Sequence, residues 1–108
     1  MANCINIYGY CDFESDIDKD LKNYINTLNE NDKIEKPTSS CHWYINSENY
    51  LVWDQNHNFK EPIRWLHLIT RIMNIKNIMM NGILMFRDDD TGKRFIVNVS
   101  HNHILKVR

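Results

Sequence analysis

The sequence predicts an α+β domain built on a mainly antiparallel sheet with two helices on one face. Three observations carry that expectation. The hydrophobic periods run in the order two-residue, helical, two-residue twice, helical, then two-residue again. The length of 108 residues suits one hydrophobic core. No internal repeat, low-complexity tract or linker divides the chain, so residues 1–108 are expected to form a single domain.

Each element has its own signal. Ile5, Ile7, Gly9, Cys11 and Phe13 alternate with Asn6, Tyr8, Tyr10 and Asp12, the period of a strand with one apolar and one aromatic-polar face. Ser15 or Asp16 offers an N-cap, and Ile17, Leu21, Tyr24, Ile25 and Leu28 form one stripe of a helix from about Asp16 to Leu28. Residues 29–40 carry turn and charge chemistry with one Ile and read as a solvated, mobile loop. Cys41 to Ile45 and Tyr50 to Trp53 flank Asn46-Ser47-Glu48-Asn49 as a hairpin. Pro62 suits the first turn of a second helix, with a wide apolar arc from Ile63 to Met73. Met80 to Arg87 has apolar residues on both faces, the pattern of a central or covered strand. Asp88-Asp89-Asp90-Thr91-Gly92 turns the chain into Arg94 to Val99, and Ser100-His101-Asn102 turns it again into His103 to Val107.

This order, β-α-β-β-α-β with a C-terminal β-hairpin, resembles a ferredoxin-like two-layer sandwich. Ile5-Asn6-Ile7-Tyr8-Gly9-Tyr10 also resembles the first-strand motif of an RNA-recognition motif, a family that stacks bases on the open face of such a sheet. The partner motif on the third strand is absent, because Tyr50-Leu51-Val52-Trp53-Asp54 has neither Gly nor a basic residue. If the C-terminal strands cover that face, Tyr8 and Tyr10 become core residues.

Composition bounds the function. Apolar residues at 43% and charged residues at 25% are ordinary for a globular chain, and no apolar run is long enough for a membrane span. The first residues lack a basic region followed by an apolar run, so no secretory leader is expected and the default compartment is the cytoplasm, including that of a host cell. Fifteen Asn, fourteen Ile and Lys in excess of Arg suggest an AT-rich genome, as in some bacteria, phages and large DNA viruses. Cys4, Cys11 and Cys41 are odd in number, and Cys4 and Cys11 point to opposite strand faces, so free thiols are expected.

Motifs for chemistry fail on inspection. A calcium loop from Asp88 would need Gly and Glu where Lys93 and Val99 stand. His101 and His103 have a spacing that could share a strand face, yet further ligands from Cys41, His42 or His57 have no known structural-site spacing. Cys41 and His42 are adjacent, and neighbours on a strand point to opposite faces. Three scattered glycines exclude a P-loop. No cofactor, no metal and no catalytic residue are expected.

The leading expectation is therefore a small non-enzymatic protein-binding module, such as a phage or viral inhibitor of a host defence system or an immunity-type protein. Residues 12–36 hold eight acids and four bases, while residues 60–108 hold four acids and nine bases. The acidic stretch Asp12, Glu14, Asp16, Asp18 and Asp20, with Trp43 or Trp53 as an exposed anchor, would engage a basic partner surface. An exposed sheet edge would permit a homodimer. The alternative is single-stranded nucleic-acid binding by Tyr8 and Tyr10 with Arg64, Arg71, Lys93, Arg94, Lys106 and Arg108, which a net charge of −1 opposes. A third reading is a small enzyme drawing on His42, His57, His101 and Asp54.

Overall fold

The computed structural model describes residues 4–107, so Arg108 and the first three residues of the leader argument lie outside it. The chain runs β1 (Ile5–Phe13), α1 (Lys19–Asn26), a 3₁₀ turn (Leu28–Glu30), β2 (Trp43–Ile45), β3 (Leu51–Trp53), α2 (Pro62–Ile75), β4 (Met80–Asp88), β5 (Arg94–Ser100) and β6 (His103–Val107). Six strands form one sheet in the order β2-β3-β1-β4-β5-β6, and every neighbouring pair is antiparallel. It is an α+β domain with two helices. The C-terminal strands extend the sheet beyond β4 and do not fold over its face.

β1 and β4 are the central pair, in register from Ile5↔Asp88 to Phe13↔Met80. Their inward residues Ile7, Cys11, Leu84 and Phe86 join Val97 and Val99 of β5 in the core beneath the helices. The expectation for Met80 to Arg87 is right about a central position. Its second face is open, with Ile83 65% exposed.

α1 starts later than the sequence suggests. Glu14 N–H still bonds Met79 O at 2.9 Å, which holds the chain in the sheet past β1, and Ile17 then drops into the core before any helical turn forms. Asp18 is the N-cap in place of Ser15 or Asp16, its Oδ1 accepting Leu21 N–H at 2.7 Å. Leu21, Ile25 and Leu28 are its buried stripe.

The loop after α1 is exposed or half-buried throughout residues 29–40, as its polarity suggests, and is also fastened to the body. Ile34 packs against the core and Thr38 Oγ1 accepts from the indole of fully buried Trp65 at 2.8 Å. Two asparagine amides close the outer edge of β2. Asn26 bonds both Ile45 N–H and Ile45 O, at 2.7 and 3.0 Å, and Asn29 bonds Cys41 N–H and Cys41 O, at 2.6 and 3.1 Å. Each amide stands where a neighbouring strand would present its own donor and acceptor. Asn26→Ala strips both bonds from a partly buried edge and is expected to lower stability by about 1–2 kcal/mol while increasing aggregation on heating. Urea titration with light scattering checks both effects.

α2 begins at Pro62 as expected, with its Pro at the first helical position. Trp65, Leu66, Ile69, Thr70 and Met73 face the core. Its end is a Schellman motif: Asn77 takes φ 58°, its N–H bonding Asn74 O, and Ile78 N–H reaches back to Met73 O at 2.9 Å. That hook aims the chain directly into β4.

Candidate functional site: the uncovered sheet face

The even-numbered residues of β1 point away from the helices, and the strand registers extend their rows across the sheet. One row is Tyr8, Met85, Ile96 and Val107, and the next is Tyr10, Ile83, Asn98 and Leu105. The Cys11↔Leu51 register sets Val52 beside Tyr10, and Tyr44 faces Val52 across the β2–β3 hairpin. Tyr8 and Tyr10 are 45% and 48% exposed, and Leu105 is 62% exposed. The C-terminal strands leave both tyrosines uncovered, so they are not the core residues that a covering hairpin would have made them. Together the rows form a largely apolar surface interrupted by the exposed Asn98, with Tyr8, Tyr10, Ile83, Ile96, Leu105 and Val107 grouped on one face.

Polar residues bound the two rows at both ends. Asn6, Arg87 and Arg94 form the row beyond Tyr8, and Asp12 with Asn81 forms the row beyond Tyr10. Arg87 is held by Asp89, Nε to Oδ1 at 3.0 Å, while Asn6 donates to the other carboxylate oxygen at 2.6 Å. The Arg87 guanidinium carbon sits 5.9 Å from the Tyr8 ring centre, and the Tyr10 and Tyr50 rings lie 4.4 Å apart. At the other end Glu14 accepts from Asn81 at 2.7 Å and pairs with His101 Nε2 at 3.0 Å. An apolar centre with a polar rim is the anatomy of a protein interface.

One gap opens in this face. β1 and β3 are in register only at Cys11↔Leu51, and the next backbone bond between β1 and the chain following β3 is Ile5 N–H to His57 O at 3.0 Å. Gly9 at φ 100° and Gln55 at φ 70° bend the two segments between those points. The cleft, about 330 Å³, is lined by Asn6, Tyr8, Val52, Trp53, Gln55 and His57 among others.

The sequence-predicted site residues disperse. Trp43 is 3% exposed and packs on Phe59 and Phe86, with its indole donating to Pro62 O at 2.9 Å, so it is core and not a partner anchor. Its position opposite Trp53 in the register is what turns it inward. Trp53 is half-buried, donates to Asn56 O and edges onto His57. Of the acidic set, Asp12 lies on the open face and Glu14 at its rim, Asp18 is consumed as a helix cap, Asp16 is exposed ahead of α1 and Asp20 is exposed in its first turn. The basic set splits as well. Arg94 is on the open face and Lys93 in the β4–β5 loop, whereas Arg64 and Arg71 project from α2 in the layer on the other side of the sheet. Lys106 points to the helix side and covers the Phe95 ring at 4.2 Å. A strand's alternation or a helix's stripe shows which residues share an element, but not which elements share a face.

The histidines do not gather. His42 Nδ1 pairs with Asp54 at 2.8 Å, His57 Nδ1 meets Ile5 O at 3.0 Å, and His101 sits in the β5–β6 turn against Glu14. His103 is on β6, one turn from His101 but in different backbone geometry. Among the described residues no group of three His, Cys, Asp or Glu is arranged to hold a metal.

Cys4, Cys11 and Cys41 are free thiols, the last two buried. Burial, with the Asp12 carboxylate adding to it, pushes the Cys11 thiol from 9.0 up to about 12. Burial likewise raises Cys41 to about 11, against a lowering backbone hydrogen bond of Trp43 and with Asp54 raising it further. Thiols held protonated make poor nucleophiles. Both groups keep their protons to higher pH in the folded state than in the unfolded chain, so their effect is absent below pH 9 and stability falls as pH rises from about 9 towards 11 and 12. Alkaline urea titrations of the wild type and of Cys11→Ala should show that slope flattening in the variant. A thiol reagent at neutral pH is expected to label Cys4 well before the other two.

The signal that pointed to this face in the sequence was the parity of Tyr8 and Tyr10 on β1; Ile96, Leu105 and Val107 joined it only through strand order. Among the described residues no helix is long and apolar enough to cross a membrane. Comparison with protein-family models, with curated proteins and with solved structures finds no match for the chain.

Proposed function

We propose that this chain is a non-enzymatic protein-binding module that docks a partner protein on its uncovered sheet face. The observation that carries the reading is the pair of apolar rows from Tyr8 to Val107 and from Tyr10 to Leu105, exposed on one side of a sheet whose other side is the core. Leaving such a surface in water is unfavourable by roughly 25 cal/mol per Å² of apolar area, which a partner's apolar surface recovers. Tyr8 and Tyr10 at the centre of this face are of a residue type enriched among binding hot spots. An inhibitor or immunity-type role, in which a small rigid face occludes another protein, is the form this reading takes.

We also infer a ferredoxin-like core. What supports it is the order β2-β3-β1-β4, in which the α1 crossover from β1 to β2 and the α2 crossover from β3 to β4 each skip one strand. β5 and β6 then add to the β4 edge.

Single-stranded nucleic acid is the competing occupant, favoured by the exposure of Tyr8 and Tyr10. Against it stand the aliphatic Ile83, Ile96, Leu105 and Val107, which offer neither stacking nor charge, and the location of Arg64 and Arg71 on the helix side. The test is nuclease-treated affinity capture with three baits: wild type, Ile83→Asp on the open face, and Ile75→Asp on the exposed end of α2. A partner retained by wild type and Ile75→Asp but weakened at least about 30-fold by Ile83→Asp, a loss of some 2 kcal/mol, supports docking on this face. Equal capture by all three, or recovery of nucleic acid alone before nuclease treatment, overturns it.

A further inference from the structure

The two edges of the sheet are finished differently, and the difference points to a second interaction surface, an edge that adjoins the docking face. At one edge, Asn26 and Asn29 occupy the outward backbone groups of Ile45 and Cys41. At the other edge, β6 has nothing comparable. His101 and Asn102 take φ 47° and 68°, the signature of a two-residue type I′ turn, and Ser100↔His103 closes it. The closing pair of such a hairpin exchanges both hydrogen bonds, so Leu105 and Val107 also bond inward to β5, at Asn98 and Ile96. The amides and carbonyls of Ile104 and Lys106 therefore face out of the sheet. Among the described residues neither makes a backbone bond outside the sheet ladder and no side chain hydrogen-bonds their backbone groups. No proline or bulge interrupts β6, and Leu105 is 62% exposed beside it.

We propose that β6 pairs with β6 of a second copy of this chain, antiparallel and centred on Leu105. In that register Ile104 of one copy faces Lys106 of the other, and each such rung exchanges two backbone bonds. The two-fold axis generates the rung twice. Charge selects this arrangement. A register centred one residue later sets Lys106 against Lys106, as does a parallel in-register pairing, and like charges directly opposite are unfavourable. A register centred one residue earlier would need Asn102 as the partner of Lys106, but Asn102 is buried in the turn with its N–H bonded to Met80 O at 3.1 Å. Only the Leu105-centred register uses both outward residues of the edge. It also sets Leu105 beside its own copy and His103 beside Val107, which joins the two open faces into one. Five residues a side fall short of the roughly 1,200–2,000 Å² of a standard interface, so the dimer exchanges rapidly and fills only at high concentration.

Disulfide trapping reads such a register directly. The new ladder makes Leu105–Leu105 a non-hydrogen-bonded pair, with Cα atoms about 4.5 Å apart and so within disulfide reach. In a Cys4→Ser background, Leu105→Cys is expected to form a covalent dimer under mild oxidation about tenfold or more faster than Ile83→Cys, which is as exposed on the same sheet face but distant from β6. Sedimentation of the full chain over a concentration series should show a monomer–dimer equilibrium that Leu105→Lys abolishes, with the circular dichroism spectrum unchanged. Equal trapping at 83 and 105, or a chain that sediments as a monomer at every concentration while Leu105→Cys fails to cross-link, overturns the proposal. Capture of the docking partner is scored with Lys106→Pro, which removes an outward N–H of the β6 edge and leaves the side chains of the open face unchanged, so failure of one surface leaves the other standing.

Discussion

Gly82→Ala is expected to destabilise the fold by roughly 3 kcal/mol or more, the upper end of what overpacking a core produces. Gly82 pairs with Cys11 on one side and Val99 on the other, in the middle of the sheet. A Cβ there would come closer than 3.0 Å to Tyr10 O, to the Cα of Cys11 and to its Sγ. The sulfur could rotate away, but the two backbone atoms belong to the central strand and cannot move without parting β1 from β4. A total stability of about 5–15 kcal/mol is normal for a domain, so this substitution removes a large share of it. Two controls isolate the cause. Gly92→Ala, where nothing lies within 4 Å and only φ 74° opposes a side chain, should cost about 1 kcal/mol. Adding Cys11→Ala to Gly82→Ala should not restore stability, because the clash with the Tyr10 carbonyl remains. Urea unfolding followed by tryptophan fluorescence gives all three values, and a Gly82→Ala variant as stable as Gly92→Ala would show that the sheet yields locally.

Asn102→Ala is expected to cost about 3 kcal/mol, from two sources that can be separated. The side chain is 7% exposed and works as a substitute strand: Oδ1 accepts Met80 N–H at 2.8 Å, and Nδ2 donates to Ile78 O and to Asn74 Oδ1, both at 2.8 Å. Truncation leaves Met80 N–H and Ile78 O without partners in a buried place. It also puts an alanine at φ 68°, a region Asn and Gly tolerate far better. Asn102→Gly removes the bonds but not the φ tolerance, so it should fall about 1 kcal/mol short of the alanine loss. Asn102→Asp keeps an acceptor for Met80 but turns an oxygen towards Ile78 O, and should be no better than alanine. The ordering Gly above Ala, measured by thermal unfolding, checks the assignment. Reversed order would mean that the turn conformation is not what Asn102 supplies. Because this residue ties the β5–β6 hairpin to the hook between α2 and β4, its loss should also weaken partner capture and trapping at Leu105.

Most of the secondary structure was legible in the sequence. Period-two alternation located β1, β4, β5 and β6, and the Pro62 signal with its apolar arc located α2 within a residue or two. Errors fell where tertiary contacts override local preference. α1 starts at Lys19 because the Glu14 bond to Met79 keeps the preceding chain in the sheet, and no local capping signal records a bond to a residue 65 positions away. Residues 29–40 are exposed or half-buried as their polarity suggests, but Asn29 and Thr38 also spend that polarity on Cys41 and Trp65.

The candidate site was legible only in part. Tyr8 and Tyr10 followed from the parity of β1, and the second apolar face of β4 hinted at more. The rows became a surface through strand order. Ile83, Ile96 and Leu105 are 13 and 9 residues apart in sequence and lie across three consecutive strands of the face only because β5 and β6 pair beside β4 instead of folding over it. The same order separates Arg64 and Arg71 from the tyrosines and turns Trp43 inward. By itself the sequence determined the α+β class, the alternation of each strand and the absence of recognisable catalytic motifs, because those depend on neighbours within one element. Which faces are covered, which edge is closed by asparagine amides and which is left open were decided by tertiary structure, because burial and hydrogen-bond satisfaction are properties of elements brought together across the chain.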